Sequence, residues 1–275
     1  MRSPLKRLAP FFLGAIAAAA AFAGVYLFFV RTHIGQVVDE SAFSGANVWH
    51  SGIIDFARQF LDALPAISIG LAIVIGLTIV AVRRNWSVLA IAILAAAGAN
   101  ASTQLLKYTI LSRPQTGVAD GLSNSLPSGH TTVAASAALV VFLVASPRFR
   151  PLVAVIGSLF AVVTGAATLV NQWHRPSDVI AGLLVVAFWA CIAGCLLVWM
   201  RAKTTPRSTR SRVPVLGWIS VACAVVAGAG LAVTYVTATQ GGSHLLIAYI
   251  GGVSAIAAVG FALGAMSNRA FHWLA

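Results

Sequence analysis

The sequence predicts an all-α fold, a polytopic membrane helical bundle, and three observations predict it. Hydrophobic residues make up 59% of the 275 residues and charged residues 9%, at a mean hydropathy of +0.92. Apolar runs long enough for a helix to cross a hydrocarbon core of ~30 Å recur along the whole chain. The basic residues between those runs concentrate on alternate connections. Open strand edges cannot sit in lipid, so the spans are helices.

The runs cover roughly 8–30, 66–82, 87–111, 131–147, 151–170, 177–200, 214–237 and 245–266. The first follows MRSPLKR and contains AFAG, a pattern shared with signal peptides. It continues through Val25–Val30, beyond a signal-peptide core, so it is expected to remain as a helix. From Phe43 to Leu64, the residues Ile53, Ile54, Phe56, Ala57, Phe60, Leu61 and Leu64 recur at helical spacing against Asp55, Arg58, Gln59 and Asp62. That pattern predicts an amphipathic helix on the outer surface, anchoring the protein or gating lipid entry. The run 87–111 is unusual in carrying Asn100, Thr103, Gln104 and Lys107 as one polar stripe. Interhelical hydrogen bonds would explain the amides, but an ammonium at the membrane marks a site. Residues 201–213, RAKTTPRSTRSRV, read as a basic cytoplasmic linker, and 214–275 hold two further spans without a chemical constellation.

The net charge of +12 is distributed as a topology signal. Arg2, Lys6, Arg7, Arg83, Arg84, Arg148, Arg150, Arg201, Lys203, Arg207, Arg210, Arg212 and Arg269 fall on one set of alternate connections. Arg31, Arg58, Lys107, Arg113 and Arg175 fall on the other, with all six acidic residues. The positive-inside bias puts both termini in the cytoplasm. The basic balance therefore implies membrane lipids as partners and excludes a nucleic-acid footprint. Cys191, Cys195 and Cys223 lie within spans and read as packing residues. With no CxxC, HExxH or P-loop, neither a metal nor a cofactor is expected. His33, His50, His244 and His272 stand in loops or at ends without matched partners, and Trp49 and Trp173 stand where interface aromatics belong.

The chemistry gathers on the outer side. The third run ends at Lys107, Ser112, Arg113 and Pro114; the fourth begins at NSLPSGH, residues 124–130; the sixth begins at NQWHRPSD, residues 171–178. Two helix N-termini there can aim free N–H groups and positive dipole ends at one point, which suits phosphate. Lys107, Arg113, Ser128, Gly129, His130, His174, Arg175 and Asp178 surround it. Two histidines, one beside a carboxylate, with several cations, fit nucleophilic attack on a phosphoryl group.

These stretches resemble the type 2 phosphatidic acid phosphatase (PAP2) family, whose signature is K-x6-R-P, P-S-G-H and S-R-x5-H-x3-D. PSGH at 127–130 matches in full, and HRPSDVIAG at 174–182 matches the end of the third part. The resemblance covers roughly 60–200 and implies a six-helix core over 1–200, with two extra C-terminal transmembrane helices. It implies that His174 attacks phosphorus, that Asp178 orients and stabilises its imidazole, and that His130 protonates the leaving group and then activates water. Lys107, Arg113, Ser128 and the Gly129 amide would hold the phosphate oxygens without a metal. Two departures stand out. Lys107 and Arg113 are five residues apart rather than six, which on a helix leaves them on different faces unless Pro114 takes Arg113 off the helix. The family's Ser-Arg pair is Ala167-Thr168 here, so a phosphate-binding arginine is missing, and Arg175, Gln172 and Asn171 are the candidates to replace it.

The function this implies is hydrolysis of a lipid phosphate or diphosphate, of polyprenyl diphosphate, phosphatidate or phosphatidylglycerophosphate type. It would occur on the extracytoplasmic face of a plasma or inner membrane, through a phosphohistidine. The alternatives are a lipid phosphotransferase of the same chemistry, or a decayed site that binds or translocates an anionic lipid. The sequence does not specify the oligomeric state.

Overall fold

The computed structural model describes residues 4–49, 51–118, 124–200 and 214–272. Arg2, His50, Asp120 and the linker 201–213 lie outside the described residues. Every described element is a helix: α1 (Pro4–Val25), α2 (His33–Ser44), α3 (Ser51–Arg83), α4 (Trp86–Leu105), α5 (Gly129–Val144), α6 (Arg150–Val170), α7 (Pro176–Met200), α8 (Pro214–Thr239) and α9 (Leu245–Ala270). π-helical turns extend α1 over Tyr26–Val30 and α4 over Leu106–Ile110. Among the described residues seven helices are long and apolar enough to span a membrane, and α5 is a shorter apolar helix. The protein is a multi-pass membrane protein.

Two elements differ from the sequence reading. Residues 51–64 do not form a separate surface helix; they are the first part of the 33-residue α3, which runs through Pro65 into the expected span. Proline removes one helical hydrogen bond, and inside a long helix neighbouring groups can absorb that loss. Ala57 and Leu61 face inward against Ala167, Val170 and Trp173, while Phe56 is exposed. The second difference is α2, a helix over residues left without an element. Thr32 caps it, its hydroxyl accepting from Gly35 N at 3.0 Å.

α7 is the axis of the bundle. Its most apolar window is 56% buried, against 11% for α8, which packs on α9 and α2 at the periphery. α1 lies along α7; α5 packs on α3, α4, α6 and α7. Lipid is as apolar as leucine, so close backbone approach rather than hydrophobic transfer holds such helices together. Gly194 of α7 faces the Phe11 ring, and a Cβ there would overlap it. Polar pairs add to this on α4: Asn100 Nδ2 donates to Ser136 Oγ at 3.0 Å, Thr103 and Thr132 hydroxyls meet at 3.0 Å, and Trp189 Nε1 donates to Ser102 Oγ at 3.0 Å.

The two C-terminal spans pack into the bundle. α9 packs on α2, α6 and α7, with Ile256 fully buried and Gly264 against Ser158. Phe271 stacks with Phe11 and Phe142 in the main core, and its carbonyl accepts from Arg150 Nη1 at 3.1 Å. The helices that bear the site are thus braced at their far ends by α9.

Candidate active site

α6 ends at Val170, and a left-handed Gln172 (φ 54°) reverses the chain toward α7. The Thr168 carbonyl accepts from Trp173 N at 2.9 Å and from His174 N at 3.3 Å, which fixes where His174 emerges. His174 is buried, and its Nδ1 lies 3.4 Å from Asp178 Oδ2. Asp178 is wholly buried in the first turn of α7. Its Oδ2 also accepts from Arg175 N at 2.9 Å and from Ser125 Oγ at 2.7 Å. A carboxylate facing Nδ1 puts the proton on that nitrogen and leaves the Nε2 lone pair for chemistry.

Arg113 Nη2 stands 3.8 Å from Asp178 Oδ1. The chain leaves the helix at Leu111, whose backbone is extended, so Arg113 lies outside the helix before Pro114 and helical register does not apply to it. Its side chain is buried, yet Nε, Nη1 and Nη2 have no hydrogen-bond partner among the described residues. Unpaired buried donors cost about 1–3 kcal/mol each, and a guanidinium fork matches the oxygens of a phosphoryl group. Lys107 is half-buried on the π-helical turn, 5.5 Å from the Tyr108 ring. Its carbonyl accepts from Asn124 Nδ2 at 3.1 Å, which draws the loop before α5 to the end of α4.

Ser128 caps α5. Its Oγ accepts from Thr131 N and Thr131 Oγ1, its N donates to the Asp178 carbonyl at 2.9 Å, and its hydroxyl hydrogen remains free to donate. The Gly129 and His130 amides have no acceptor among the described residues, and Gln104 Nε2 alone lies within 4 Å of a Cβ placed at Gly129. The His130 ring packs on Trp173, centroid to centroid 5.2 Å, beside the loop that carries His174.

Of the two helix N-termini expected to face the site, that of α7 is closed. Asp39 of α2 accepts from Ser177 N at 3.1 Å and from Ser177 Oγ. Burial first, and then the charge of Asp178, push the Asp39 carboxyl up to about 7. Next to it Glu40 Oε2 lies 2.7 Å from Arg175 Nε and 2.6 Å from Arg175 Nη2, and the guanidinium stacks on Phe43 at 4.9 Å. Arg175 is therefore engaged by α2. The other residues near the missing arginine are also engaged: Thr168 Oγ1 donates to Gly165 O at 2.7 Å, Asn171 Nδ2 to Ala167 O at 3.1 Å, and Gln172 Nε2 to Phe43 O at 3.4 Å.

The fold joins His174, Asp178, Arg113, Arg175 and Ser128 through direct contacts, sets His130 against Trp173, and leaves the Lys107 ammonium without a bond to the others. Sequence reasoning missed Asp39, Glu40 and Ser125. A signal existed for the first two: they are adjacent acids in a chain with only six, behind a threonine with helix-capping chemistry.

A family model described as the PAP2 superfamily matches residues 88–206. The match starts after α3, so α1, α2, α3 and the last two spans fall outside it. No curated protein and no solved structure matches the chain.

Proposed function

We propose, from the match of residues 88–206 to the PAP2 superfamily model, a membrane phosphatase that hydrolyses lipid phosphates or diphosphates through a phosphohistidine at His174. The observation that carries the proposal is the buried His174–Asp178 pair beside an Arg113 whose guanidinium donors are unpaired. His174 Nε2 attacks phosphorus, forming a P–N bond as the P–O bond to the lipid breaks. His130 gives its proton to the departing oxygen. Asp178 stabilises the imidazole as it gains positive character, and Arg113, Lys107 and the Gly129 amide hold the equatorial oxygens. His130, now neutral, takes a proton from water; the water oxygen bonds phosphorus and the P–N bond breaks, which releases phosphate and restores His174. The substrate types are phosphatidate, polyprenyl diphosphate and phosphatidylglycerophosphate, presented at the extracytoplasmic leaflet.

Purified protein in detergent, given a panel of these lipids, is expected to release phosphate in the presence of EDTA, because fixed cations take the place of a metal. His174→Ala is expected to lower the rate by about 10³-fold or more. Release that needs added Mg²⁺, or that survives His174→Ala, contradicts the proposal.

One observation favours a second reading, a site that binds or translocates an anionic lipid without turnover. Thr168 bonds within its own helix and Arg175 is held by Glu40, so no third-motif cation is free for the phosphate. Tight binding of the panel lipids with no phosphate release would select it. A lipid alcohol replacing water in the second step would instead make the same chemistry a phosphotransfer.

A further inference from the structure

At the end of the bundle away from the candidate site, a cavity of about 960 Å³ lies between α1, α5, α6, α7 and α9. It falls at the top of the ~300–1,000 Å³ range of ligand pockets. Small residues recur along its walls, with Gly14, Ala17, Ala138, Gly157, Ala187 and Gly264 coming from five different helices, among larger apolar side chains such as Leu139, Phe142 and Leu183. Along α9 the cavity extends from Gly260 to His272, about 18 Å at ~1.5 Å per residue. That is close to one leaflet of a ~30 Å hydrocarbon core.

The cavity opens along one side, where Ala17 is exposed, and such walls offer water almost no hydrogen-bond partners. An alkyl chain suits them. Toward the start of α1 and the close of α9 the lining has a different character. Arg7, Arg269 and His272 line it there, and neither arginine has a carboxylate partner among the described residues. All six acidic residues of the chain lie between positions 39 and 178, and none of the described ones lines the cavity.

We propose that this cavity is a lipid site distinct from the candidate active site, holding an anionic glycerophospholipid of the opposite leaflet. One acyl chain lies in the glycine and alanine slot, and the headgroup phosphate sits between Arg7 and Arg269. The bound lipid completes the packing of α1 and α9 against α7, where the Phe11 and Phe271 rings meet at 4.8 Å.

The test uses the full chain in nanodiscs of equal phosphatidylglycerol and phosphatidylcholine, released gently and weighed by native mass spectrometry. The wild type is expected to retain phosphatidylglycerol over phosphatidylcholine by about tenfold, as two cations near a headgroup should give. Arg7→Gln/Arg269→Gln is expected to bring that preference within about twofold. Ala187→Phe, which fills the slot, is expected to remove retained lipid of both kinds; Ala17→Phe fills it from α1 and decides the matter where Ala187→Phe does not fold. Equal retention of the two lipids by the wild type, or no retention, overturns the proposal. So does a preference that survives the double arginine change, or retention unchanged in a folded slot-filling variant.

Discussion

Arg175 directly follows the candidate nucleophile, yet its guanidinium is turned to Glu40 and Phe43 of α2. With side chains 6% and 21% exposed, the pair is largely shielded from water, and losing one partner of such a pair costs about 3–5 kcal/mol. Arg175 then acts by fixing the loop that presents His174. The expected result is that Arg175→Ala and Glu40→Ala each lower kcat/KM by about 10–100-fold, and that the double variant is no worse than either single one. If Arg175 instead binds phosphate directly, Glu40→Ala leaves kcat/KM intact or raises it. The His174–Asp178 pairing was legible in the sequence because the two residues are four positions apart. The Arg175–Glu40 pairing was not, because 135 positions separate them and only the tertiary fold brings them together.

At the scale of elements, α2 joins a segment outside the family match to the start of α7. Asp39 caps that start, and in the folded protein its carboxyl is raised from 3.8 to about 7. The folded state therefore favours the protonated form. This contribution to stability is complete below about pH 4 and is lost as pH rises through about 7. Asp39→Asn can keep both contacts to Ser177 with a neutral side chain. It is expected to raise the unfolding temperature at pH 8 and to flatten its dependence between pH 4 and 8, as followed by thermal unfolding in detergent. A pH dependence identical to that of the wild type would contradict this role. The spans were read well from hydropathy, which responds to lipid directly. The boundary at Pro65 was not, because polar residues and a proline mimic a break that lipid and neighbouring helices let α3 ignore.

At the scale of the whole molecule, α9 is a wedge that shares its core with the helices that bear the site. A side chain at Gly264 would overlap Ser158 Oγ. Gly264→Val is therefore expected to lower stability by about 1–3 kcal/mol, as overpacking does, and to reduce activity although the site lies at the other end of the bundle. Unchanged stability would mean that α9 does not brace α6. Hydropathy could count the last two spans but not show this packing, which depends on which glycines face which neighbours. The charge distribution makes a prediction about orientation. A cysteine at Gln115 is expected to react with a membrane-impermeant thiol reagent in intact cells, and one at Arg148 is not. The reverse pattern would put the site on the cytoplasmic face.

Covalent chemistry at His174 is open to a rapid-quench experiment. Protein mixed with a ³²P-labelled lipid phosphate and denatured within one turnover should carry an acid-labile, alkali-stable label that maps to His174. His174→Ala should carry none, and His130→Ala should hold the label longer, since no base is left to activate water. Phosphate release with no labelled protein at any time, or a label that maps to another residue, would contradict the account.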